Sequence, residues 1–201
     1  MTEPGLRERK RLDAMRRAQA VALDLFDEHG YDEVTIEQIA AAAQLSPSSI
    51  YRYFGTKEQL VFWDEVDPVA FQRIAEGMAD HPPLEAARLA MRSVVGDFAG
   101  DKQDMAFTIR RMRYMMGEPV VRQAFWTQTE AAAEMIAHLV ARQLGRDEDE
   151  LPIQVFAHAI IGAFVAGFHH WHATGYTVPL DALIDQVFAV VEGGFDLTRD
   201  T

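Results

Sequence analysis

Two helix-start signals lie close together near the N-terminal end of the chain, and they restrict what the sequence can fold into. Thr35 and Gln38 have the spacing of a capping box, in which the two side chains satisfy each other's backbone N–H groups. Ser46 followed by Pro47 begins a second helix, because serine caps a helix and proline needs no N–H at the first helical position. Two short helices joined by a tight turn are predicted, which is the helix-turn-helix arrangement.

The second of these helices, predicted over 46–53, follows the first, predicted over 35–43, and is exposed by composition. In a helix-turn-helix the second helix enters the major groove and the first crosses the DNA backbone. Arg52 is the recognition-helix side chain able to make a bidentate contact to guanine. Alternatively, Tyr51 and Tyr53 are half-buried aromatics of a three-helix cluster. That reading suits Tyr51 better, because Tyr53 lies on a different face.

The rest of the chain also reads as helix after helix. No stretch alternates apolar and polar residues with β-branched enrichment, so we expect an all-α fold with no strand. Glycines and prolines divide the chain into helix-length segments. We expect about nine helices, near 6–29, 35–43, 46–53, 56–79 with a kink at Pro68, 83–99, 102–116, 119–145, 153–174 and 180–196.

The charge is unevenly distributed along the chain. Overall, 19 basic residues stand against 31 acidic ones, a net charge of −12, which argues against a protein coated in nucleic acid. Residues 1–60 are nearly balanced, and their basic side chains are bunched at the start. An acidic body with a locally basic front end fits a small nucleic-acid-binding head on a larger domain, although a solvated helix start gives the same pattern.

Several protein classes are excluded by what the sequence lacks. There is no cysteine, so disulfides, thiolate catalysis and cysteine-based zinc sites are ruled out. The longest nearly apolar stretch, Val155 to Phe168, is shorter than the ~20 residues that span a bilayer, so we expect no membrane partner. The start, MTEPGLRERKRLD, has no apolar core and is no secretory signal. We expect a soluble cytoplasmic protein.

The segment ALDLFDEHGYDEVTIEQIAAAAQLSPSSIYRYFGTKEQLV resembles the DNA-binding signature of the TetR (tetracycline-repressor) family of bacterial regulators. The resemblance covers about residues 14–61 without a gap and includes the block IYRYFGTKEQL. It implies an all-helical homodimer whose two heads bind a palindromic double-stranded DNA operator. It also implies a C-terminal domain that senses a small-molecule effector. We therefore expect a ligand-responsive regulator, most simply a repressor, with a head over 1–55 and a ligand-binding and dimerisation domain over 56–201.

Carried over by position, the resemblance also names DNA-contacting residues. Two of them, at positions 35 and 57, stand at helix N-termini, where backbone N–H groups favour a phosphate. One departure is Pro47-Ser48, where family members often carry Lys-Gly or Arg-Gly, so a phosphate-binding cation is missing. The N-terminal arginines are candidates to compensate. The predicted contacts are Thr35, Ser46, Pro47, Ser48, Ser49, Tyr51, Arg52, Tyr53 and Lys57.

Two helices near the C-terminal end fit a dimer interface. The helix predicted over 153–174 is apolar nearly all round and carries small residues, among them Gly162, Ala166 and Gly167. The helix over 180–196 has one broad apolar stripe that ends at Phe195. Together they could pair with their symmetry copies as a four-helix interface, as in dimers of the TetR family, or fill a monomeric core.

A ligand site is predicted around the methionine-rich segment from Met105 to Met116, although such runs more often fill cores. One inward arginine among Arg110, Arg111 and Arg113 would hold a carboxylate or phosphate, or the three form a solvated face paired with nearby acids. An apolar, elongated ligand with an anionic head is expected. The predicted lining is Trp63, Phe107, Arg111, Trp126, Glu130, Phe164, Phe168 and Trp171.

Four histidines near the C-terminal third raise the question of a metal enzyme. His169 and His172 can share a helix face, as metal ligands require, and His158 precedes them. No carboxylate recurs beside them at helical spacing, and no HExxH pattern is present. We therefore expect no metal, no cofactor and no enzyme activity. A histidine enzyme, or a helical interaction protein with a vestigial DNA head, are the alternative functions.

Overall fold

The computed structural model describes residues 5–63, 66–99 and 102–195, and the described residues form ten helices and no strand. The all-α prediction is confirmed. The helices are α1 (Leu6–His29), α2 (Ile36–Ala42), α3 (Pro47–Phe54), α4 (Lys57–Phe62), α5 (Val66–Gly77), α6 (Pro83–Ala99), α7 (Lys102–Gly117), α8 (Pro119–Leu144), α9 (Leu151–Ala173) and α10 (Leu180–Glu192).

The first three helices form where the local signals place them. In α2, Thr35 Oγ1 accepts the backbone N–H of Gln38 at 3.2 Å, and Gln38 Oε1 accepts that of Thr35 at 2.7 Å, so the capping box is present. Gly30 and Gly55 end α1 and α3 with φ of 89° and 78°, a backbone region that favours glycine. One face of α1, with Met15 among its residues, is buried in the core that these three helices share.

The prediction of a single kinked helix over 56–79 is wrong. Two helices, α4 and α5, lie in this range, so the described residues form ten helices rather than nine. The backbone of Trp63 turns extended, with ψ of 124°, and α4 ends at Phe62. Pro68 falls in the first turn of α5, where its missing N–H costs no helical hydrogen bond. The proline therefore lies near the start of its own helix.

The last two helices pack closely against each other. A Cβ added to Gly167 of α9 would lie 2.7 Å from a methyl carbon of Val187 in α10, so only glycine permits this approach. Helix α9 begins at Leu151, two residues earlier than predicted, with Pro152 in its first turn. Helix α10 ends at Glu192, earlier than predicted, and Phe195 lies in a turn with 54% of its surface exposed, outside the apolar stripe.

Candidate functional site

The exposed face of α3 is polar, and its N-terminus is organised by three serines. Ser46 Oγ accepts the backbone N–H of Ser49 at 3.1 Å and lies 2.9 Å from the hydroxyls of both Ser48 and Ser49. On the opposite face Ile50 and Phe54 are buried in the core. The cap therefore places three hydroxyl groups at the N-terminus of α3, while the opposite face of the helix packs in the core.

Arg52 lies on this outer surface, held against Tyr53. Its guanidinium carbon is 5.1 Å from the centre of the Tyr53 ring, and a terminal nitrogen donates to Ser49 Oγ at 3.3 Å. Tyr53 is half-buried, whereas 50% of Tyr51 is exposed. The burial order of the two tyrosines is thus opposite to the one expected. Tyr53 follows buried Ile50 by three positions and shares its helix face.

Lys57 joins the start of α4 to the loop before α2. Its ammonium donates to the carbonyls of Tyr31 and Val34 at 2.8 and 3.0 Å and lies 4.1 Å from the centre of the Tyr31 ring. Thr35, the cap of α2, is exposed close by in sequence. The half-buried lysine thus supports the head from inside, and a phosphate contact for it stays a prediction.

The N-terminal arginines are exposed, and they differ in their hydrogen-bond partners. Arg17 donates its Nε hydrogen to the carbonyl of Ala43, at the end of α2, at 3.0 Å. Arg11 and Arg16 pair with an acid one turn earlier, at 2.9 and 3.3 Å. Arg7 is exposed. Arg17 therefore supports the helix-turn-helix itself, and a DNA contact is compatible with the exposed residues of this segment.

The last carbonyl groups of α4 are bonded to side chains from two other helices. Gln19 of α1 donates from Nε2 to the carbonyls of Leu60 and Trp63, both at 2.8 Å. Arg111 of α7 donates to the carbonyls of residues 61 and 62, at 3.2 and 3.0 Å. Orphan carbonyls at a helix C-terminus carry partial negative charge, so an amide and a guanidinium cap this end.

A second contact joins α7 directly to α1. Arg110 lies 2.8 Å from a carboxylate oxygen of Asp24 and 2.5 Å from one of Asp27, and the hydroxyl of Tyr114 donates to Asp27 at 2.5 Å. Burial opposes the charged form of Arg110, but the two carboxylates outweigh it and raise the pKa of the guanidinium. Burial and Asp27 likewise raise the pKa of Tyr114. Arg110 therefore fixes α7 to α1 of the head, and its neighbour Arg111 fixes α7 to α4.

A cavity of about 480 Å³ lies beside these contacts and is lined mainly by apolar side chains. Five of the eight predicted ligand residues line it: Trp63, Phe107, Arg111, Phe168 and Trp171. A cavity of roughly 300–1,000 Å³ with a few polar groups is typical of small-molecule sites.

The other three predicted ligand residues lie outside this lining, because their helix positions turn them away. Trp126 is 53% exposed and stacks on His169, with ring centres 6.4 Å apart. Glu130 is exposed and pairs with His158 at 3.5 Å. Phe164 packs edge-on against Phe188 of α10, with ring centres 5.5 Å apart.

Sequence reasoning missed most of the lining, including its contributions from α1 and α6. The face of α7 that lines the cavity could be predicted from the sequence, because Phe107, Arg111 and Met115 recur every four residues and so share one side of the helix. Nothing local marked the remainder, which depends on helix packing. The lining residues outside the predicted set of eight are Arg16, Gln19, Phe62, Met91, Val94, Val95, Asp104, Thr108, Met112, Met115, Phe125, Gln128, Leu180 and Ile184. Two of these, Met112 and Met115, belong to the methionine-rich segment around which the ligand site is predicted.

The histidines have partners of other kinds. His172 Nδ1 lies 2.7 Å from the hydroxyl of Tyr176, and His158 Nδ1 lies 2.8 Å from the carbonyl of Gln154. In the ranges that the structure describes, no group of three or more histidine, aspartate or glutamate side chains is arranged to hold a metal ion.

Helix α9 is apolar, yet one of its faces is uncovered within the protomer. Val155, Gly162 and Ala166 lie on one exposed face, and Gly162 has open space where a Cβ would stand. On α10, Val190 is also exposed. By length and composition alone, the 23 residues of α9 could cross a membrane, so the expectation that no segment is long enough is wrong on length.

Two family models match the chain. The model for bacterial regulatory proteins of the tetR family matches residues 20–62, and the model for the MftR C-terminal domain, a TetR C-terminal class, matches residues 81–196. The chain belongs to the TetR family. It is a transcriptional regulator, of a family of regulators rather than enzymes, and the predicted resemblance is confirmed.

Individual proteins similar to this TetR-family regulator include two curated relatives. The putative mycofactocin biosynthesis transcriptional regulator MftR of Mycobacterium tuberculosis is 25% identical over 189 residues, covering 94% of both chains. The transcriptional regulator TcmR of Streptomyces glaucescens is 29% identical over 152 residues, covering 73% of this chain and 67% of the relative.

A solved structure has the same fold. The TetR-family repressor FadR of Thermus thermophilus, solved with lauroyl-CoA, superposes with a TM-score of 0.52 at 19% identity, covering 93% of this chain and 97% of that one. Regulators of the TetR family bind DNA operators and small-molecule effectors as dimers.

Proposed function

We propose that this TetR-family regulator binds a palindromic DNA operator as a homodimer, represses transcription there, and is released by a small hydrophobic or amphipathic effector. The observation that carries the proposal is α3, a capped helix with a buried apolar face and an outer surface of hydroxyls and one arginine. Such a surface suits phosphate oxygens and base edges in a major groove. A cytoplasmic location follows from this role.

The DNA contacts are proposed on the residues predicted from sequence. Ser46, Ser48 and Ser49 would bind phosphates at the N-terminus of α3, and Pro47 would set the helix start without blocking the approach. Tyr51 and Arg52 are exposed and would reach base edges, with Tyr53 supporting Arg52 from behind. Thr35 and Lys57 would contact the backbone on either side.

The dimer is proposed to form through α9 and α10. Helix α9 presents Val155, Gly162 and Ala166 on one exposed face, and a second copy of the same face would cover it. Two helices from each chain give a four-helix interface of the self-complementary kind that two-fold dimers use. The long apolar surface of α9 would then be covered by a second protein chain rather than by lipid.

The effector is proposed to bind in the 480 Å³ cavity. Its mainly apolar lining supports a hydrophobic or amphipathic molecule, and the related fold of Thermus FadR was solved with lauroyl-CoA, a molecule with an acyl chain. An effector that binds the non-DNA form more tightly would shift the population away from DNA binding.

The test uses an operator selected from a random duplex library with the wild-type protein, and compares its binding by the wild-type protein and by the double variant Arg52→Ala/Tyr53→Ala as salt is raised. Wild-type affinity should fall steeply with salt, because each neutralised phosphate releases counterions. The double variant should bind more weakly at every salt concentration. Equal binding by the two proteins would contradict the assignment of α3 as the DNA-reading helix.

A further inference from the structure

We propose that Gln19 and Arg111 form a clamp on the end of α4 that an effector opens. In the DNA-binding form both side chains cap the α4 carbonyls. An effector with an apolar body and an anionic end takes over the Arg111 guanidinium, and α4 loses part of its cap. This inference rests on the proposed function and adds the side chains that the anionic end of the effector binds and the first step of its action.

The side chains that cap α4 also line the cavity in which the effector is proposed to bind. Gln19 and Arg111 are 3% and 9% exposed, and both line the cavity while donating to α4. Phe62 and Trp63, the last residue of α4 and its C-cap, also line the cavity. A molecule in the cavity therefore contacts the cap and the helix end that it caps.

The polarity of the lining indicates the kind of molecule. Three of its polar side chains donate to α4, among them Gln128 of α8, which bonds to Gln59 at 2.9 Å. The wall formed by α6 and α10 is apolar, with Met91, Val94 and Ile184 among its residues. An amphipathic molecule would therefore bind with its polar end towards α4 and its apolar body towards α6 and α10.

An anionic end is favoured because of the charged side chains in the lining. The charged members of the described lining are Arg16, Asp104 and Arg111, of which two are cations. A guanidinium binds a carboxylate through two parallel charge-assisted hydrogen bonds, which are stronger than its bonds to neutral carbonyl oxygens. A carboxylate that reaches Arg111 would therefore compete effectively with the carbonyls of residues 61 and 62.

The opposite end of α4 is joined to the DNA-binding head. Lys57 bonds to the carbonyls of Tyr31 and Val34, and the Tyr31 hydroxyl donates to Glu58 at 3.0 Å. Helix α4 has six residues, so at about 1.5 Å per residue it spans roughly 9 Å between the cavity and the head. A change in the cap at one end is thereby passed to the loop that precedes the helix-turn-helix.

The first experiment compares Arg111→Met with Arg113→Met, an exposed arginine on the same helix. DNA affinity is measured by fluorescence anisotropy on an operator selected with the wild-type protein, without added effector. Arg111→Met should weaken binding at least tenfold, because it mimics the opened clamp, and Arg113→Met should bind as the wild type does. A folded Arg111→Met protein with wild-type DNA affinity would overturn the proposal.

The second experiment uses wild-type protein and two probes, sodium decanoate and 1-decanol, which share a chain length and differ in charge. Decanoate should bind at least tenfold more tightly than decanol and speed amide hydrogen exchange in residues 60–63. Equal binding of the two probes, no decanoate binding up to its solubility, or unchanged exchange with decanoate bound would each overturn the proposal. This experiment needs no variant to fold.

The outcomes separate this inference from the proposed function. A wild-type protein that binds no DNA contradicts the proposed function itself. The wild-type protein could instead bind its operator, while Arg111→Met leaves the DNA affinity unchanged and decanoate leaves the hydrogen exchange unchanged. That result contradicts only the clamp and is compatible with the proposed function.

Discussion

The ammonium of Lys57 lies 4.1 Å from the centre of the Tyr31 ring and donates to the carbonyl of the same residue at 2.8 Å. One lysine thus fixes the loop before the helix-turn-helix to the start of α4. Because a hydrogen bond from a charged donor contributes about 1.5–3 kcal/mol, Lys57→Met should lower the free energy of unfolding by about 2 kcal/mol. Urea denaturation measures this, with the exposed Lys10→Met as control. A change no larger than the control's would contradict it.

The Tyr31 hydroxyl makes the same junction sensitive to pH through Glu58. Burial raises the pKa of Glu58, but hydrogen bonds from its own backbone, Thr56 and Tyr31 outweigh it and leave the pKa below its usual value. A carboxyl with a lowered pKa in the folded state stabilises the protein above its unfolded pKa, and that stabilisation is lost as pH falls through the folded pKa.

Tyr31→Phe should therefore destabilise the protein by about 1–2 kcal/mol at neutral pH, since it removes a hydrogen bond to a carboxylate. The difference from wild type should shrink as the pH falls through the lowered pKa of Glu58, because the carboxyl then takes up a proton. Unfolding followed across this pH range, with the exposed Tyr51→Phe as control, measures both effects. A difference that stays constant at all pH values would rule out the coupling to Glu58.

Arg52 is expected to carry base discrimination in the operator. A bidentate arginine–guanine contact contributes about 1–3 kcal/mol of discrimination, so Arg52→Ala should relax the preference at one position in each half-site. Binding to a set of operators with single base changes measures this. Arg142→Ala, an exposed arginine on α8, is the matched control. Unaltered preference at every position would mean that Arg52 contacts phosphate only.

Gly162 offers a clean test of the proposed dimer face. A Cβ there meets nothing within 4 Å inside the protomer, so Gly162→Arg should leave the single chain folded and block a helix of a second copy. The variant should sediment near the chain mass of 22.6 kDa and the wild type near twice that value. The exposed Ala75→Arg on α5 should stay dimeric. A dimeric Gly162→Arg protein would place the interface elsewhere.

The parts of the fold that depend on local chemistry were predictable from the sequence. Thr35, Ser46 and Gly30 act on backbone groups within a few residues, so the head helices have the expected bounds within one or two residues. Helix α4 ends where its carbonyls accept hydrogen bonds from Gln19, which lies more than 40 positions earlier in the chain. No local sequence pattern encodes that contact.

The candidate cavity was predictable only in part, for the same reason. Trp63, Phe107 and Arg111 follow from composition and helix periodicity. Trp126 follows Phe125 by one position, yet only Phe125 faces the cavity, because neighbouring residues on a helix point about 100° apart. Which of two adjacent aromatics faces inward depends on the packing of α8 against other helices.

We propose that two copies of this head read an inverted repeat. Selection from a random double-stranded DNA library by the purified protein, at near-physiological salt, tests it most directly. We predict an enriched inverted repeat whose half-site centres lie about one helical turn, ~34 Å, or a multiple of it, apart. Failure to enrich any repeat, both before and after denaturing and refolding the protein to remove a co-purified effector, would contradict the account.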